Sequence, residues 1–336
     1  MSDTTSEWIV SPSPHAHSGD TVPKIMGTVI VALLPALVAG VVFFGWNAVR
    51  LTAICVVSCV ASEYVVRRIM RRDPGINDLS AVVTGILLAL NLPPTLPGWM
   101  AVVGSLCAIV IAKQLYGGIG YNLFNPALVG RCVLLVSFPV AMTTWAVPNF
   151  AHIPPVDATT MATPLGAWKT AWSAGQAPSA FQDTFPLRAL LIGNRPGCLG
   201  ETSTIALLLG GIVLLWRRCI TWHIPVAFIG SVAVFAAILQ QTDPARNLPV
   251  SYHVFSGGIF LGALFMATDM VTTPVTSRGM LLFGAGCGVI TMIIRKWGGY
   301  PEGVSFSILI MNALTPLINR FTRPHVFGHA VKEKTA

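Results

Sequence analysis

Charged residues are scarce in this sequence. Asp, Glu, Lys and Arg make up 10% of its 336 residues, against about 25% in an ordinary soluble domain. So few charges cannot cover a water-exposed surface in the usual way, which argues against a soluble globular protein. Instead, 54% of the residues are hydrophobic and the mean hydropathy is +0.70, values typical of a chain that lies in a lipid bilayer.

Paired cysteines are also missing. The seven cysteines are scattered and none forms a Cys-x-x-Cys pair, so an iron–sulfur or zinc site within this chain alone is not expected. A soluble domain with a clustered basic face, which nucleic-acid binding requires, is lacking as well, so no nucleic-acid partner is expected. The net charge of +8 is better explained by basic residues in cytoplasmic loops.

Apolar segments separated by short polar breaks fill most of the chain, which predicts an all-α polytopic membrane protein with about ten transmembrane helices. The third and eighth segments are short or end in proline, so we expect broken helices there. The predicted spans are 25–44, 48–66, 79–92, 99–117, 127–146, 202–216, 220–240, 251–268, 280–294 and 303–319.

The two halves of the chain resemble each other. Gly85-Ile-Leu-Leu88 is similar to Gly258-Ile-Phe-Leu261, and Tyr116-Gly-Gly118 is similar to Trp297-Gly-Gly299. Five spans separate the matched segments, and an odd number inverts the second copy, so the pattern predicts two inverted five-helix repeats with a site near their interface.

Basic residues predict the orientation, because most of them fall in alternate loops. With both termini cytoplasmic, these loops face the cytoplasm and the long loop faces the periplasm; Arg295-Lys296 is the main exception. The predicted organisation is a cytoplasmic segment 1–24, a first repeat 25–146, a periplasmic loop 147–200, a second repeat 201–319 and a cytoplasmic tail 320–336.

Thr160-Met-Ala-Thr163 lies in the long polar loop. A threonine hydroxyl can be esterified to the phosphate of a flavin nucleotide if another enzyme activates the donor. Pro164 fixes the backbone after such an acceptor, and Asp157 could orient the segment or a metal-bound donor. On the residues alone, an ordinary hydroxyl-rich turn is the simpler interpretation.

Other candidate residues lie beside the apolar spans. In the segment 117–126, Gly118 permits close backbone approach to a planar ligand, and Asn122 and Asn125 offer amide groups; a turn that only packs helices explains it equally well. Asp269 and Glu302 are carboxylates next to the membrane core, where such groups often mark ion paths. Local backbone capping for Asp269 and simple hydration for Glu302 are the alternatives.

Less specific roles are expected for two other glutamates. Glu63 stands one turn before Arg67, which favours a solvated ion pair. Glu201 stands in Gly200-Glu-Thr-Ser-Thr204, which is typical of a helix start.

Several of these motifs together resemble one known family. Thr160-Met-Ala-Thr163 is similar to the flavinylation motif Ser/Thr-x-Ala-Thr of the D subunit of the Rnf complex and the B subunit of the sodium-pumping NADH:quinone reductase. The resemblance covers nearly the whole chain, although Met161 stands where the family often has glycine. It also includes the segments 11–19, 117–127, 266–269 and 299–303.

This resemblance implies specific chemistry. FMN would be bound to Thr163 through a phosphoester, with Thr160 and Ala162 as motif residues, and a second, non-covalent flavin, riboflavin, can sit within the bundle. The chain would transfer electrons in the bacterial inner membrane, coupled to Na⁺ or H⁺ translocation. Expected partners are membrane lipid and the other membrane subunits of the complex, including its second flavinylated subunit.

Two alternatives remain open from the sequence. The B subunit of the quinone reductase normally has a longer N-terminal region than this chain shows, so the Rnf proteins are the better match. A transporter or channel that uses the same repeat without a cofactor is the more distant alternative.

Overall fold

The computed structural model describes residues 19–72, 76–148, 161–174, 185–244, 247–300 and 302–323. Within these ranges the chain is built from helices. In chain order they are α1 Val22–Phe44, α2 Trp46–Ile69, α3 Ser80–Leu90, α4 Gly98–Leu106, α5 Pro126–Ser137, α6 Pro139–Met142, α7 Pro164–Ser173, α8 Leu187–Ile192, α9 Thr204–Trp216, α10 His223–Thr242, α11 Val250–Phe255, α12 Ile259–Leu261, α13 Ser277–Trp297 and α14 Val304–Phe321.

Five of these helices are long and apolar enough to cross a membrane, namely α1, α2, α10, α13 and α14. Shorter apolar helices lie between them: α3, α5, α9 and α4 with the π-helical segment Cys107–Gln114 that continues it. The prediction of an all-α polytopic membrane protein is confirmed, and each of the ten predicted spans corresponds to helical structure.

The third and eighth spans are short or broken, as the sequence predicts. α3 has 11 residues and ends at Leu90. The eighth span is interrupted between α11 and α12. Gly257 has a φ of 70° there, a backbone conformation that is strained for a residue with a side chain. The chain then continues through α12 into a π-helical segment, Gly262–Met266.

These short elements form the centre of the molecule. Every residue of α3 except Val82 is buried, and so is every residue from α12 to Met266. α3 packs against α1, α2 and α5, while the segment after α12 packs against α9, α10 and α14. Helices buried on all sides are apolar all round, which explains why neither segment shows a polar face in the sequence.

Helix packing follows the same pattern in both halves. α2 packs along α4 and α4 along α5; in the second half α10 packs along α13 and α13 along α14. α1 and α9, the first helix of each half, pack against each other, and a Cβ at Gly210 would lie 2.0 Å from the Ala32 carbonyl oxygen. The pattern supports a duplication, and the inverted relation of the two halves stays a prediction.

Candidate functional site

Thr163 begins α7. Its Oγ1 accepts a hydrogen bond from the Gly166 backbone N–H at 3.1 Å, and its carbonyl accepts one from Ala167 at 2.8 Å. Pro164 at the first helical position needs no partner for an N–H. The local sequence therefore folds as a capped helix start, and the predicted acceptor is the capping residue.

α7 is held against the second half of the chain. Lys169 Nζ donates to the carbonyl oxygens of Gly298 and Tyr300 after α13. Trp168 is buried and packs edge-on against His253 with ring centroids 5.3 Å apart. These contacts of Trp168 and Lys169 hold the helix that Thr163 caps.

The motif residues differ in accessibility. Thr163 is only 3% exposed, whereas Met161 and Ala162 just before it are exposed. The predicted positions Thr160 and Asp157 lie outside the described residues.

A cavity of about 370 Å³ lies at the end of α3 that carries Ser80. Most of its lining is apolar, with a few polar side chains from several elements. The polar lining residues are Ser80, Thr84, Lys113, Asn122, Asn125, Thr268 and Asp269. A largely apolar cavity with few convergent polar groups is typical of a small-molecule site.

Asn122 and Asn125, both predicted site residues, line this cavity. Asn125 caps α5 through its Oδ1 and donates from Nδ2 to the Met266 carbonyl at 3.2 Å, which joins the two halves. Gly118 faces Arg67 instead, since a Cβ there would lie 3.4 Å from Arg67 Nη2. Gly120, with a φ of 90° and open space at its Cβ position, lines the cavity in its place.

Lys113 is a cavity-lining residue that the sequence interpretation missed. Its Nζ donates to Glu63 Oε2 at 2.7 Å and to Ser80 Oγ at 2.6 Å, and Gln114 Nε2 donates to Glu63 Oε1 at 2.8 Å. Glu63 forms the predicted ion pair with Arg67, whose Nε lies 3.5 Å from its Oε1, but Glu63 is 1% exposed, so the prediction that this pair is solvated is wrong. The signal was present, because a lysine inside an apolar span requires a buried partner.

Asp269 also lines the cavity, where the eighth span ends. Its Oδ2 accepts a hydrogen bond from Thr272 Oγ1 at 3.3 Å, and its carbonyl accepts one from Thr273 at 2.9 Å. The carboxylate also bonds the local backbone at Val271, as the capping alternative predicts, and it reaches the cavity lining.

Glu302 lies in a second polar cluster, at the end of α3 that carries Asn91. Arg131 donates to Glu302 Oε2 at 2.6 Å and to Asn91 Oδ1 at 3.0 Å, and its Nη2 lies 3.6 Å from Glu201 Oε1. The carboxylates and the Cys198 thiol lie within 4.8 Å of one another. Glu302 is therefore ion-paired, not simply hydrated.

Two further arginines enclose this cluster. Arg195 donates to the carbonyl oxygens of Glu201 and Phe255, and Arg295 donates to those of His253 at 2.6 Å and Ser256 at 2.9 Å. These bonds satisfy the backbone where the eighth span is broken. They also explain why Arg295 departs from the predicted charge distribution, since it is buried in the protein.

The two carboxylates differ in their tendency to ionise. Burial and the neighbouring charge of Glu302 raise the pKa of Glu201 well above its usual range. Burial alone would raise the pKa of Glu302 too, but the charge of Arg131 and hydrogen bonds from Arg131 and Glu201 outweigh burial and lower it. One proton on Glu201 and none on Glu302 is the arrangement that follows.

The sequence interpretation assigned Glu201 to a helix start and missed Arg131. Ser203 is the actual cap of α9, with Oγ accepting from Ala206 N at 3.2 Å, while Glu201 faces the cluster. The missed signal was Arg131 itself, an arginine within an apolar span.

Comparison with known proteins identifies relatives along the whole chain. The model of the NQR2, RnfD, RnfE family matches residues 9–328. The D subunit of a Na⁺-translocating ferredoxin:NAD⁺ oxidoreductase complex from Acetobacterium woodii is 47% identical over 328 residues, covering 97% of each chain.

Two further relatives carry related names. The D subunit of a proton-translocating ferredoxin:NAD⁺ oxidoreductase complex from Clostridium ljungdahlii is 45% identical over 324 residues, covering 95% of this chain and 96% of its own. The D subunit of an ion-translocating oxidoreductase complex from Stutzerimonas stutzeri is 43% identical over 336 residues, covering 94% of each. The two most similar of the three relatives are thus named for different coupling ions at nearly equal identity.

Proposed function

The chain belongs to the NQR2, RnfD, RnfE family, and on that basis we propose that it is an electron-transfer subunit of an ion-translocating ferredoxin:NAD⁺ oxidoreductase complex with FMN bound covalently to Thr163. Its relatives are subunits of ion-translocating oxidoreductases, so electron and ion transport in a membrane is the shared activity. Partner subunits complete the reaction, and this chain alone is not expected to perform it.

The observation that carries the FMN assignment is the place of Thr163 at the start of α7. A phosphate on its Oγ1 would stand at the N-terminus of a ten-residue helix, where backbone N–H groups and the helix dipole favour an anion. Leu165 and Gly166 supply those N–H groups, because Pro164 has none. A Cβ at Gly166 would lie 3.1 Å from Oγ1, so glycine keeps space beside the ester oxygen.

Burial of Thr163 sets a condition on the attachment. At 3% exposure, its hydroxyl cannot reach an activated flavin donor held by another enzyme. We therefore expect the transfer to occur before this segment packs, or in an opened form of it. The exposed Met161 and Ala162 mark the side from which a transferase would approach.

The flavin supplies one-electron and two-electron redox chemistry when bound, and the protein supplies position and electrostatics. Position comes from the contacts of Lys169 with Gly298 and Tyr300. The buried Trp168 and the partly exposed Trp172 follow Thr163 on the same helix, so aromatic surface is available near the attachment point.

We further propose that the cavity at the Ser80 end of α3 takes the second, non-covalent flavin, riboflavin. Its volume of about 370 Å³ falls within the range of small-molecule sites. The amides of Asn122 and Asn125 and the ammonium of Lys113 can bond a polar ring edge, while the apolar walls fit a planar aromatic body.

Asp269 is the residue we propose for the ion path at this cavity, and Glu302 marks the path at the other end of α3. Asp269 lies where the eighth span ends, and Glu302 faces the Gly257 turn that breaks the same span. Broken helices are where membrane transport sites form. Relatives of nearly equal identity are named for Na⁺ and for H⁺, so either ion fits the proposal.

The placement of the basic residues supports an inner-membrane orientation with both termini in the cytoplasm and the Thr163 loop in the periplasm. Partners in the membrane are proposed to include the second flavinylated subunit, which would exchange electrons with this chain on the periplasmic side.

Fluorescence of the denatured protein tests the proposed FMN. The chain is produced together with a flavin transferase, separated on a denaturing gel and viewed under ultraviolet light. We expect a fluorescent band for the wild type and for Thr160→Ala, and none for Thr163→Ala. A wild-type band without fluorescence would overturn the proposal and favour a transporter without a cofactor.

A further inference from the structure

Two carboxylates and one guanidinium meet in the cluster at the Asn91 end of α3. Arg131 contacts Glu302 at 2.6 Å and Glu201 at 3.6 Å. All three side chains are nearly buried, with side-chain exposures of 3% to 10%. Two buried carboxylates that share one cation do not both ionise readily, because their mutual repulsion adds to the cost of burial.

Each carboxylate has one oxygen without a hydrogen bond. Glu201 Oε1 and Glu302 Oε1 are buried and accept no hydrogen bond from the described part of the protein. Both face the glycine turn that breaks the eighth span, since a Cβ at Gly258 would lie 3.2 Å from Glu201 Oε1 and one at Gly257 would lie 3.6 Å from Glu302 Oε1. The absence of side chains at this turn leaves room beside both oxygens.

A metal ion does not suit this position. Arg131 Nη2 lies within 3.7 Å of the Cys198 thiol as well as close to both carboxylates, so its guanidinium already occupies the place a cation would take. Arg195 from the loop before α9 and Arg295 from α13 add two more positive charges. A proton is the cation that two such oxygens can still accept.

The cluster also adjoins the loop that carries Thr163. Leu165, two residues after Thr163, packs on the same turn, since its Cδ1 would lie 3.0 Å from a Cβ at Gly257. Arg295 Nη2 lies 2.9 Å from that position. A negative charge that arrives at the loop therefore lies near groups whose protonation can respond to it.

We propose that Glu201 and Glu302 form a proton-binding site, in which the pair holds one proton while the FMN proposed on Thr163 is oxidised and takes up a second when that group gains its first electron. With that first electron, one proton moves from the adjoining aqueous phase onto the ionised carboxylate. The charge of the pair changes from −1 to zero, and the proton leaves when the electron leaves. The shared proton stands on the cluster geometry alone, while its link to electrons rests on the proposed FMN at Thr163.

Infrared difference spectroscopy of the purified complex tests both parts. A protonated carboxyl gives a C=O stretching band that shifts in D₂O and on ¹³C-labelling of glutamate, and neither change requires a substitution. In oxidised wild type we expect such a band from glutamate. We expect Glu201→Gln to remove it and the control Asp269→Asn to keep it. A spectrum without a D₂O-sensitive glutamate band would overturn the shared proton.

Reduction with dithionite tests the link to electrons. In reduced-minus-oxidised spectra we expect the glutamate carboxyl band to grow and the carboxylate bands to shrink, and Glu302→Gln to abolish this change while the covalent flavin remains. An unchanged band in a wild type that does carry the flavin would overturn the link. Absence of the flavin would overturn the proposed function instead, and the oxidised spectrum would still decide whether the pair holds a proton.

Discussion

Buried charged groups lie at both ends of α3, and the two groups differ in how fully their charges are paired. At the Ser80 end, Glu63 accepts hydrogen bonds from the Lys113 ammonium at 2.7 Å and the Gln114 amide at 2.8 Å, so each of its carboxylate oxygens has a donor. At the Asn91 end, Glu201 and Glu302 share one guanidinium and each keeps an oxygen without a donor. An α-helix of 11 residues, roughly 16 Å long at 1.5 Å per residue, separates the two ends.

This difference separates the polar groups that have a structural role from those that can change their protonation state. A matched pair in a low-dielectric interior is held in one charge state, because losing either partner leaves an uncompensated charge. A mismatched set can accept or release a proton at smaller cost. We therefore expect substitutions at the two ends to differ in size and in pH dependence.

The largest effect is expected for Glu63→Gln. This change leaves the buried Lys113 and the largely buried Arg67 without their carboxylate, and breaking a buried pair in this way costs about 3–5 kcal/mol. The free energy of unfolding, measured by denaturant titration in detergent, should fall by that amount. Ser62→Ala on the same helix removes only a bond to the Ser58 carbonyl and serves as the control; an equal loss there would contradict the account.

Arg131→Met should have the next largest effect. It removes the cation that is ion-paired with both Glu302 and Glu201, and it leaves the Asn91 amide oxygen without this hydrogen bond. The carboxylates can bind protons in response, so the cost should be that of unmet hydrogen bonds, roughly 1–3 kcal/mol. The same denaturant titration measures this loss in the free energy of unfolding. A loss larger than that of Glu63→Gln would show that the charged groups at both ends of α3 are held in one charge state.

The membrane architecture could be predicted from composition, because apolar length and scarce charges determine what a bilayer accepts. The break in the eighth span also followed from its short apolar length and its proline end. The two polar clusters could not be predicted as such. Their members come from elements far apart in the sequence, and only the packing of the two halves brings Arg131 next to Glu302.

Glu201→Gln should lower the free energy of unfolding less than Arg131→Met does near neutral pH. Glutamine has the shape of the protonated carboxyl, and the account holds that Glu201 carries its proton there. Thermal unfolding of this variant beside Glu63→Gln tests the contrast directly. Similar losses in both variants would mean that Glu201 is ionised.

The smallest effect is a difference in pH dependence. The pKa of Glu201 is raised in the fold by burial and by Glu302, so its contribution to stability is present below the unfolded glutamate pKa of about 4.3 and is lost as pH rises toward the folded value. Glu201→Gln should therefore gain stability relative to wild type as pH increases above about 4.3.

Glu302 should show the opposite dependence. Its pKa is lowered in the fold, with Arg131 outweighing burial, so its contribution is present above the unfolded pKa and is lost as pH falls through the folded value. Melting temperatures of Glu302→Gln and wild type should converge in acid. Parallel curves for Glu201→Gln and Glu302→Gln would contradict the assignment of one proton to Glu201.

Thr163, the proposed acceptor, could be predicted from the sequence only in part. The hydroxyl-rich tetrad alone was compatible with an ordinary turn, and only the family resemblance named Thr163. Its place as the cap of α7, where a phosphate finds N–H donors, depends on local folding that the threonine and proline make predictable. Its burial against the second half is a tertiary feature that no local pattern contains.

Peptide mass mapping tests whether FMN is bound covalently to Thr163. The chain is produced with a flavin transferase and digested, and the peptide that contains Thr160 and Thr163 is fragmented. We predict a peptide heavier by the mass of FMN less one water, with the added mass on Thr163. An unmodified peptide, or the added mass on Thr160, would contradict it.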